Sequence, residues 1–355
     1  MNPVNILVEI SKYAGERFDL VQAGGGNSSV KLEDGTMLIK ASGFSLSDVE
    51  KSMGYSKVNV IKVQKIVTNV EILHTKNKRE REKLATKLVQ EATMDLDNRP
   101  SIETLLHSLL HKYTLHTHPV VVNMVVNKSN WREVLTDLFG DKIALVAYKT
   151  PGIELALALN QEISKFEKVP NIIFLQNHGL IATSDKYEDI KFLTDLIVDK
   201  IEQYLQVDMK KYKFTNSITK LFKQFDQDDN NISYLCNDKD LQLFCKQQKE
   251  LFLQKPFCPD SLVYCGISGI TLDSLEDVDS IRTYLEKYYE FPKIILFSEY
   301  IFLHAKSIKK AKEIEDVLKF HILVLSQNFK ETNYLEFEEL AYLSNWEAEK
   351  YRQNV

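Results

Sequence analysis

The sequence lacks the marks of a membrane, secreted or nucleic-acid-binding chain. No stretch of 18 apolar residues occurs, so a helical membrane span is not expected. The opening Met1-Asn2-Pro3-Val4-Asn5-Ile6 does not show the basic-then-apolar order of a secretory signal. Basic residues are not in excess: 45 Lys and Arg stand against 50 Asp and Glu, a net charge of -5, which is the wrong balance for a polyanionic partner. There are only four cysteines, Cys236, Cys245, Cys258 and Cys265, in no C-x-x-C spacing. They read as free thiols of a cytoplasmic protein rather than as a disulfide framework or a thiolate metal site. Repeats and low-complexity tracts are absent, and so is a Gly-x-Gly-x-x-Gly dinucleotide fingerprint. What remains is globular in composition, 44% hydrophobic and 27% charged, and at 355 residues long enough for two domains.

Periodicity predicts a helix over 3–19, broken by Gly24-Gly25-Gly26-Asn27, and then a hairpin of strands 28–32 and 36–40 around Glu33-Asp34-Gly35. A charged helix is expected over 78–94, and a helix capped by Ser101 running to Lys112. The β-branched run 113–126 reads as one strand, followed by a strand at 143–148, a helix from Pro151-Gly152 to about 166, a strand at 171–176 and a helix over 187–205. Composition shifts near 213, and the polar run 225–231 reads as a loop or linker. Beyond it a helix is expected over 239–254, strands near 262–265, 293–297 and 300–304, and a helix from 308 to about 327. The chain thus divides into 1–212 and a smaller α/β unit, 213–355.

The chemistry concentrates in a few polar residues. His116 and His118 stand at i and i+2 in Leu115-His116-Thr117-His118-Pro119, and such side chains share one face of a strand. His178 ends the apolar run Asn171–Gln176 in Asn177-His178-Gly179-Leu180. Three imidazoles with an open position is the usual plan of a catalytic zinc, with Mn²⁺, Co²⁺ or Fe²⁺ as other candidates. Any one of these histidines is more often a satisfied core residue; it is the set that favours a metal. Glu103, four residues before His107, is either a helix-dipole partner or a carboxylate beside the metal. Gly24-Gly25-Gly26-Asn27-Ser28-Ser29 is either a turn or a nest of backbone N–H groups for a phosphate, with Lys40-Ala41-Ser42-Gly43 and Ser101 as further elements of the same kind.

Taken in order, Gly25-Gly26-Asn27-Ser28-Ser29-Val30-Lys31, Ile39-Lys40-Ala41-Ser42-Gly43, Pro100-Ser101-Ile102-Glu103 with His107, His116-Thr117-His118-Pro119, Ala147-Tyr148 through Pro151-Gly152, and Asn177-His178-Gly179-Leu180 resemble the class II aldolase/adducin N-terminal family over about residues 1–210. The resemblance implies an α/β fold of α+β character, a central, mostly antiparallel sheet flanked by helices, often assembled as a homotetramer. It implies that His116, His118 and His178 hold zinc, that Glu103 is the catalytic acid/base, and that Gly26, Asn27, Ser42, Gly43 and Ser101 line the site for a substrate phosphate. Some members carry a second serine where this chain has Ile102; Lys40 is a candidate to replace the lost hydroxyl with charge. The region 255–307, through Lys255-Pro256-Phe257-Cys258-Pro259-Asp260, the strand pair 293–304 and Ala305-Lys306-Ser307, is similar to the segment after the aldolase domain of bifunctional rhamnulose-phosphate aldolase/dehydrogenases, with no dehydrogenase domain expected within these 355 residues.

The expected activity is zinc-dependent cleavage or formation of a C–C bond in a phosphorylated ketose. The metal stabilises the enediolate, the carboxylate moves the proton and the phosphate orients the substrate. Dehydratase, decarboxylase and epimerase members share this logic, although epimerases tend to carry Asp at the Glu103 position. A non-catalytic adducin-like assembly domain is the alternative outside enzymology, and retention of all three histidines argues against it. The expected partners are a small sugar phosphate and further copies of the chain, with neither nucleic acid nor membrane.

Overall fold

The computed structural model describes residues 2–94, 98–226, 230–336 and 338–340. The chain forms two compact units, one through Met209 and one from Lys210 onward. Residues 227–229 of the expected loop 225–231 lie outside the described residues.

The first unit is a seven-stranded sheet between two layers of helix. Its strands are β1 (Asn27–Lys31), β2 (Thr36–Lys40), β3 (Tyr55–Asn59), β4 (Tyr113–Thr117), β5 (Ala144–Val146), β6 (Ile172–Leu175) and β7 (Gly179–Ser184), in the order β3-β2-β1-β4-β7-β6-β5. Every pairing is antiparallel except β5 with β6. The expected hairpin is present: Gly35 takes a positive φ of 78° and Asp34 Oδ1 accepts the Thr36 N–H at 3.0 Å, closing the turn between β1 and β2. Strand alternation splits the core in two. Val30, Leu38, Leu115, Phe174 and Leu180 face the helices Pro3–Gly15, Val120–Val126 and Glu188–Leu205. Met37, Ile39, Ile173, Leu175 and Ile181 face the helices Lys78–Ala92 and Ile153–Ile163.

Two expected strands are helices instead. Only Tyr113–Thr117 of the run 113–126 is strand; Pro119 cannot donate to the ladder and caps the helix Val120–Val126, whose Val121, Val122, Val125 and Val126 are buried at helical spacing. Tertiary packing overrides β-branched propensity there. Residues 262–265 belong to the helix Pro259–Cys265, where Pro259 occupies the first turn with its φ already set. Two expected helices are shorter. The one after Ser101 is confined to Thr104–Ser108, and 239–254 splits into Lys239–Gln247 and a 3₁₀ turn, Lys249–Leu253.

The second unit has strands β8 (Ile232–Leu235), β9 (Ile270–Leu272), β10 (Ile294–Phe297) and β11 (Tyr300–Ala305), ordered β8-β11-β10-β9. Along β10, Ile294 and Leu296 pack toward the helices Pro259–Cys265 and Ile308–Asn328, while Ile295 packs toward Lys210–Phe222 and Val278–Tyr288. Among the described residues, no helix is long and apolar enough to cross a membrane.

A buried ion pair anchors the end of the first helix. The Arg17 guanidinium lies on the Asp19 carboxylate at 2.6 and 3.1 Å with both side chains 1% exposed, and also reaches Asp195 at 2.6 Å. The next carbonyls hold the chain after β4: Leu20 accepts the His118 N–H and Asp19 the Val120 N–H, both at 2.9 Å. Arg17→Met strands the Asp19 charge and is expected to lower stability by about 3–5 kcal/mol, measured by urea unfolding.

Candidate metal centre

The sheet register places the first ligands. His116 pairs with Asn27 on β1 and with Ile181 on β7, so it stands in the middle of the sheet and is fully buried. Its neighbour Leu115 faces one core layer, which turns His116 toward the other. His118 follows two residues on, just past the strand end, on the same side. His178 sits in the tight turn between β6 and β7, where Asn177 has a positive φ of 53°, a conformation asparagine tolerates better than most residues.

These three side chains converge. Their ligand nitrogens all lie within 4.8 Å of one another. His116 Nε2 is 3.0 Å from His118 Nε2 and 3.3 Å from His178 Nε2. Tetrahedral zinc with ~2.05 Å bonds holds its nitrogens roughly 3.3 Å apart, so the spacing fits one ion. The tautomer fits as well: His116 Nδ1 donates to the Leu180 carbonyl at 3.0 Å, leaving Nε2 with a lone pair directed at its two partners. Burial, and next the other imidazoles, push His116 and His118 down to about 3, so both rings are neutral bases at physiological pH.

Two glycines make room. A Cβ on Gly25 would lie 2.8 Å from His118 Nδ1, and a Cβ on Gly179 would lie 2.2 Å from the Thr117 carbonyl oxygen and 3.1 Å from His118 Cδ2. The steric demand at Gly25 was not legible in the sequence, where the glycine run read only as a turn or a nest.

Glu103 completes the cluster. Its carboxylate oxygens lie 3.3 Å from His178 Nε2 and 3.6 Å from His116 Nε2, and the side chain is buried. Asn27 Nδ2 donates to Glu103 Oε2 at 2.5 Å; the cross-strand pairing of Asn27 with His116 puts the amide there. Asn27 Oδ1 is buried with no hydrogen-bond partner among the described residues. His107 lies close by, fully buried, with Nδ1 2.7 Å from Ser29 Oγ, and burial pushes it to about 3.

The expected phosphate-site residues divide. Ser42 and Ser101 line one pocket of about 250 Å³ with Arg99 and Ile102. Ser42 N–H donates to the Arg99 carbonyl at 2.8 Å, and Ser101 Oγ accepts the Glu103 N–H at 3.2 Å. Gly43 is exposed with φ 90° and open space around it. Gly26, φ 73°, is packed 2.8 Å (as a notional Cβ) from the His116 carbonyl oxygen. Lys40 is buried and its ammonium donates to the Phe44 carbonyl at 2.6 Å, with burial lowering its pKa. Arg99, which sequence reasoning did not single out, is exposed in that pocket and has no ion pair or side-chain hydrogen bond among the described residues.

Residues 5–205 match the family described as class II aldolase and adducin N-terminal domain. The chain belongs to this family. A curated relative, uncharacterized oxidoreductase YuxG of Bacillus subtilis strain 168, is 25% identical over 211 residues, which are 57% of this chain; the chain spans 29% of that relative's length. Among solved structures, the N-terminal class II aldolase domain of a Thermoplasma acidophilum protein is 23% identical with a TM-score of 0.49, covering 57% of this chain and 93% of its own. A sugar-phosphate aldolase from Thermotoga maritima is 17% identical with a TM-score of 0.41, covering 57% of this chain and 94% of its own. Membership places the chain in the class II aldolase superfamily, whose enzymes generally depend on a divalent metal, and among the described residues His116, His118 and His178 are the group able to hold one.

Elemental analysis of protein purified without chelator is expected to find about one divalent ion per chain. His116→Ala should lose it. Gly179→Ala is expected to reduce metal content and to destabilise the fold by at least about 2 kcal/mol, since backbone must move to admit the methyl group. Full occupancy with unchanged unfolding in both variants would contradict the geometry described.

Proposed function

We propose that this protein is a zinc-dependent aldolase, a lyase that cleaves or forms a C–C bond in a phosphorylated ketose. The observation that carries the reading is the placement of a buried carboxylate, Glu103, within 3.6 Å of two of three convergent imidazole nitrogens. Imidazole-only ligation suits zinc best. A divalent ion held by His116, His118 and His178 supplies Lewis acidity for the negative charge that develops on substrate oxygens when the C–C bond breaks.

The chain's own groups do the rest. Glu103 takes and returns the proton at the reacting carbon, and Asn27 holds its carboxylate in place through the 2.5 Å hydrogen bond. Ser42, Gly43 and Ser101 present donors to the substrate phosphate. Lys40 gives one N–H to Phe44 and keeps two further donors, and Arg99 lines the same pocket as Ser42 and Ser101, so these two cations are the candidates to make up for the hydroxyl that Ile102 lacks. Substrate binding at this remote group is used for orientation at the reacting atoms. The reading extends to a cytoplasmic homo-oligomer, supported by the outward-facing Phe192, Leu196 and Tyr204 of the helix Glu188–Leu205. Dehydration or decarboxylation of a related sugar phosphate is the second reading, supported by the same base and metal ligands.

A panel of ketose 1-phosphates, and of aldehydes with dihydroxyacetone phosphate, tests the assignment; a chain loaded with zinc that turns over none of them is not an aldolase. Glu103→Gln is expected to keep the metal and lose about 10²–10⁴ in kcat. Near-normal turnover would remove Glu103 from the mechanism. Arg99→Ala is expected to raise KM for the phosphorylated ketose by about 10–100-fold, the scale of one hydrogen bond to a charged group, with kcat little changed. An unchanged KM would take Arg99 out of the phosphate site.

A further inference from the structure

One fully buried polar group beside the metal centre has no part in the proposed chemistry. His107 stands one turn after Glu103, and its N–H donates to the Glu103 carbonyl at 3.2 Å. Side chains four apart at a helix start lie on the same face. On the facing strand β1, Asn27 and Ser29 stand at i and i+2 and project from one face of the sheet. The two elements meet in two polar rungs. Asn27 Nδ2 donates to Glu103 Oε2 at 2.5 Å, and Ser29 Oγ lies 2.7 Å from His107 Nδ1. All four residues are buried.

The segment cannot hold this geometry by itself. Its helix, Thr104–Ser108, has five residues, and helices shorter than ~12–15 residues are marginal without tertiary contacts. Leu105 and Leu106 anchor it in the core, but apolar burial is non-directional. A single rung through Asn27 leaves the segment free to pivot about that contact. The second rung, His107 on Ser29, fixes the direction in which Glu103 leaves the backbone.

Stability does not account for the second rung. His107 Nε2 and Asn27 Oδ1 are buried and have no hydrogen-bond partner among the described residues. Each such atom costs about 1–3 kcal/mol, whereas apolar groups of similar shape in place of a buried polar pair are close to neutral. The two polar rungs therefore carry a cost that an apolar contact would avoid, and both lie beside the one buried carboxylate of the metal centre.

We propose that His107 is a positioning residue: by bonding Ser29 it holds the short helix, and with it the Glu103 carboxylate, in register with Asn27 and the three histidines. The proposal deepens the aldolase reading and rests on Glu103 as the group that moves the proton.

The test compares two replacements in the full-length, metal-loaded protein. His107→Leu fills the space and removes the bond to Ser29. His107→Asn leaves more space but keeps a polar atom close to where Nδ1 stood. For a packing residue, leucine is the better substitute in both stability and turnover. For a positioning residue the two orders part: leucine is the more stable variant yet loses about 10–100-fold in kcat, the scale of a misplaced reacting group, while asparagine recovers most of that loss. KM and metal content should stay near wild type in both. Ser29→Ala removes the same bond from the strand side, is expected to lower kcat to a similar degree, and decides the matter if the leucine variant does not fold. Combined with His107→Leu it should cost little more than either change alone, since both remove one interaction. A readout without turnover is the Asn27 side-chain amide in NMR. Its hydrogen on the Glu103 carboxylate should exchange slowly in the wild type and at least about 10-fold faster in His107→Leu. The proposal is overturned if kcat in Ser29→Ala or a folded His107→Leu stays within about 2-fold of wild type, if asparagine is as slow as leucine, or if the amide exchanges unchanged in His107→Leu. A wild-type protein inactive on every ketose phosphate removes the aldolase reading instead, and the amide exchange then decides whether His107 holds the Asn27–Glu103 pair.

Discussion

Everything in the first unit is arranged around the meeting of one strand end with one turn. His116 and His118 come from β4, His178 from the turn between β6 and β7, and β7 pairs directly with β4. The Leu180 carbonyl that closes this arrangement also fixes the protonated nitrogen of His116. A single backbone oxygen thus sets both ring orientation and lone-pair direction, the outer contact that metal-ligating histidines commonly use. On the other side of β4, Asn27 brings the amide that holds Glu103. A slip of one residue in either pairing would turn these side chains to the opposite layer, so register and chemistry are one constraint.

That constraint explains which parts of the site were legible in the sequence. The spacing of His116 and His118 carries its own geometry, because period 2 is intrinsic to a strand. His178 was legible through Gly179 and the apolar run before it, a strand leading into a turn. Glu103 was harder. Its helix is only Thr104–Ser108, and what brings the carboxylate to the histidines is the bridge that pairs Pro100 with Ala41, a non-local contact with no sequence pattern. The local partner of Lys40 was not legible: a lysine ending a strand is usually solvated, and only the chain path to Phe44 shows where one of its N–H groups is satisfied.

The same distinction governs the fold. The β1–β2 hairpin followed from Asp34-Gly35 because its turn chemistry is local. The run after Pro119 did not follow from propensity, because valines pack as well on a buried helix face as on a strand, and the choice was made by the core they enter. Residues 262–265 failed as a strand for a related reason. The short apolar run is ambiguous by itself, and the starting signal, Pro259 with Asp260 in the first turn, lies outside it.

The two units use burial in opposite ways. In the metal centre burial discharges imidazoles, and a neutral base with a lone pair is what a cation requires. In the second unit burial acts on Lys293 and Glu290 together, and each limits the shift of the other. The first arrangement therefore favours a cation.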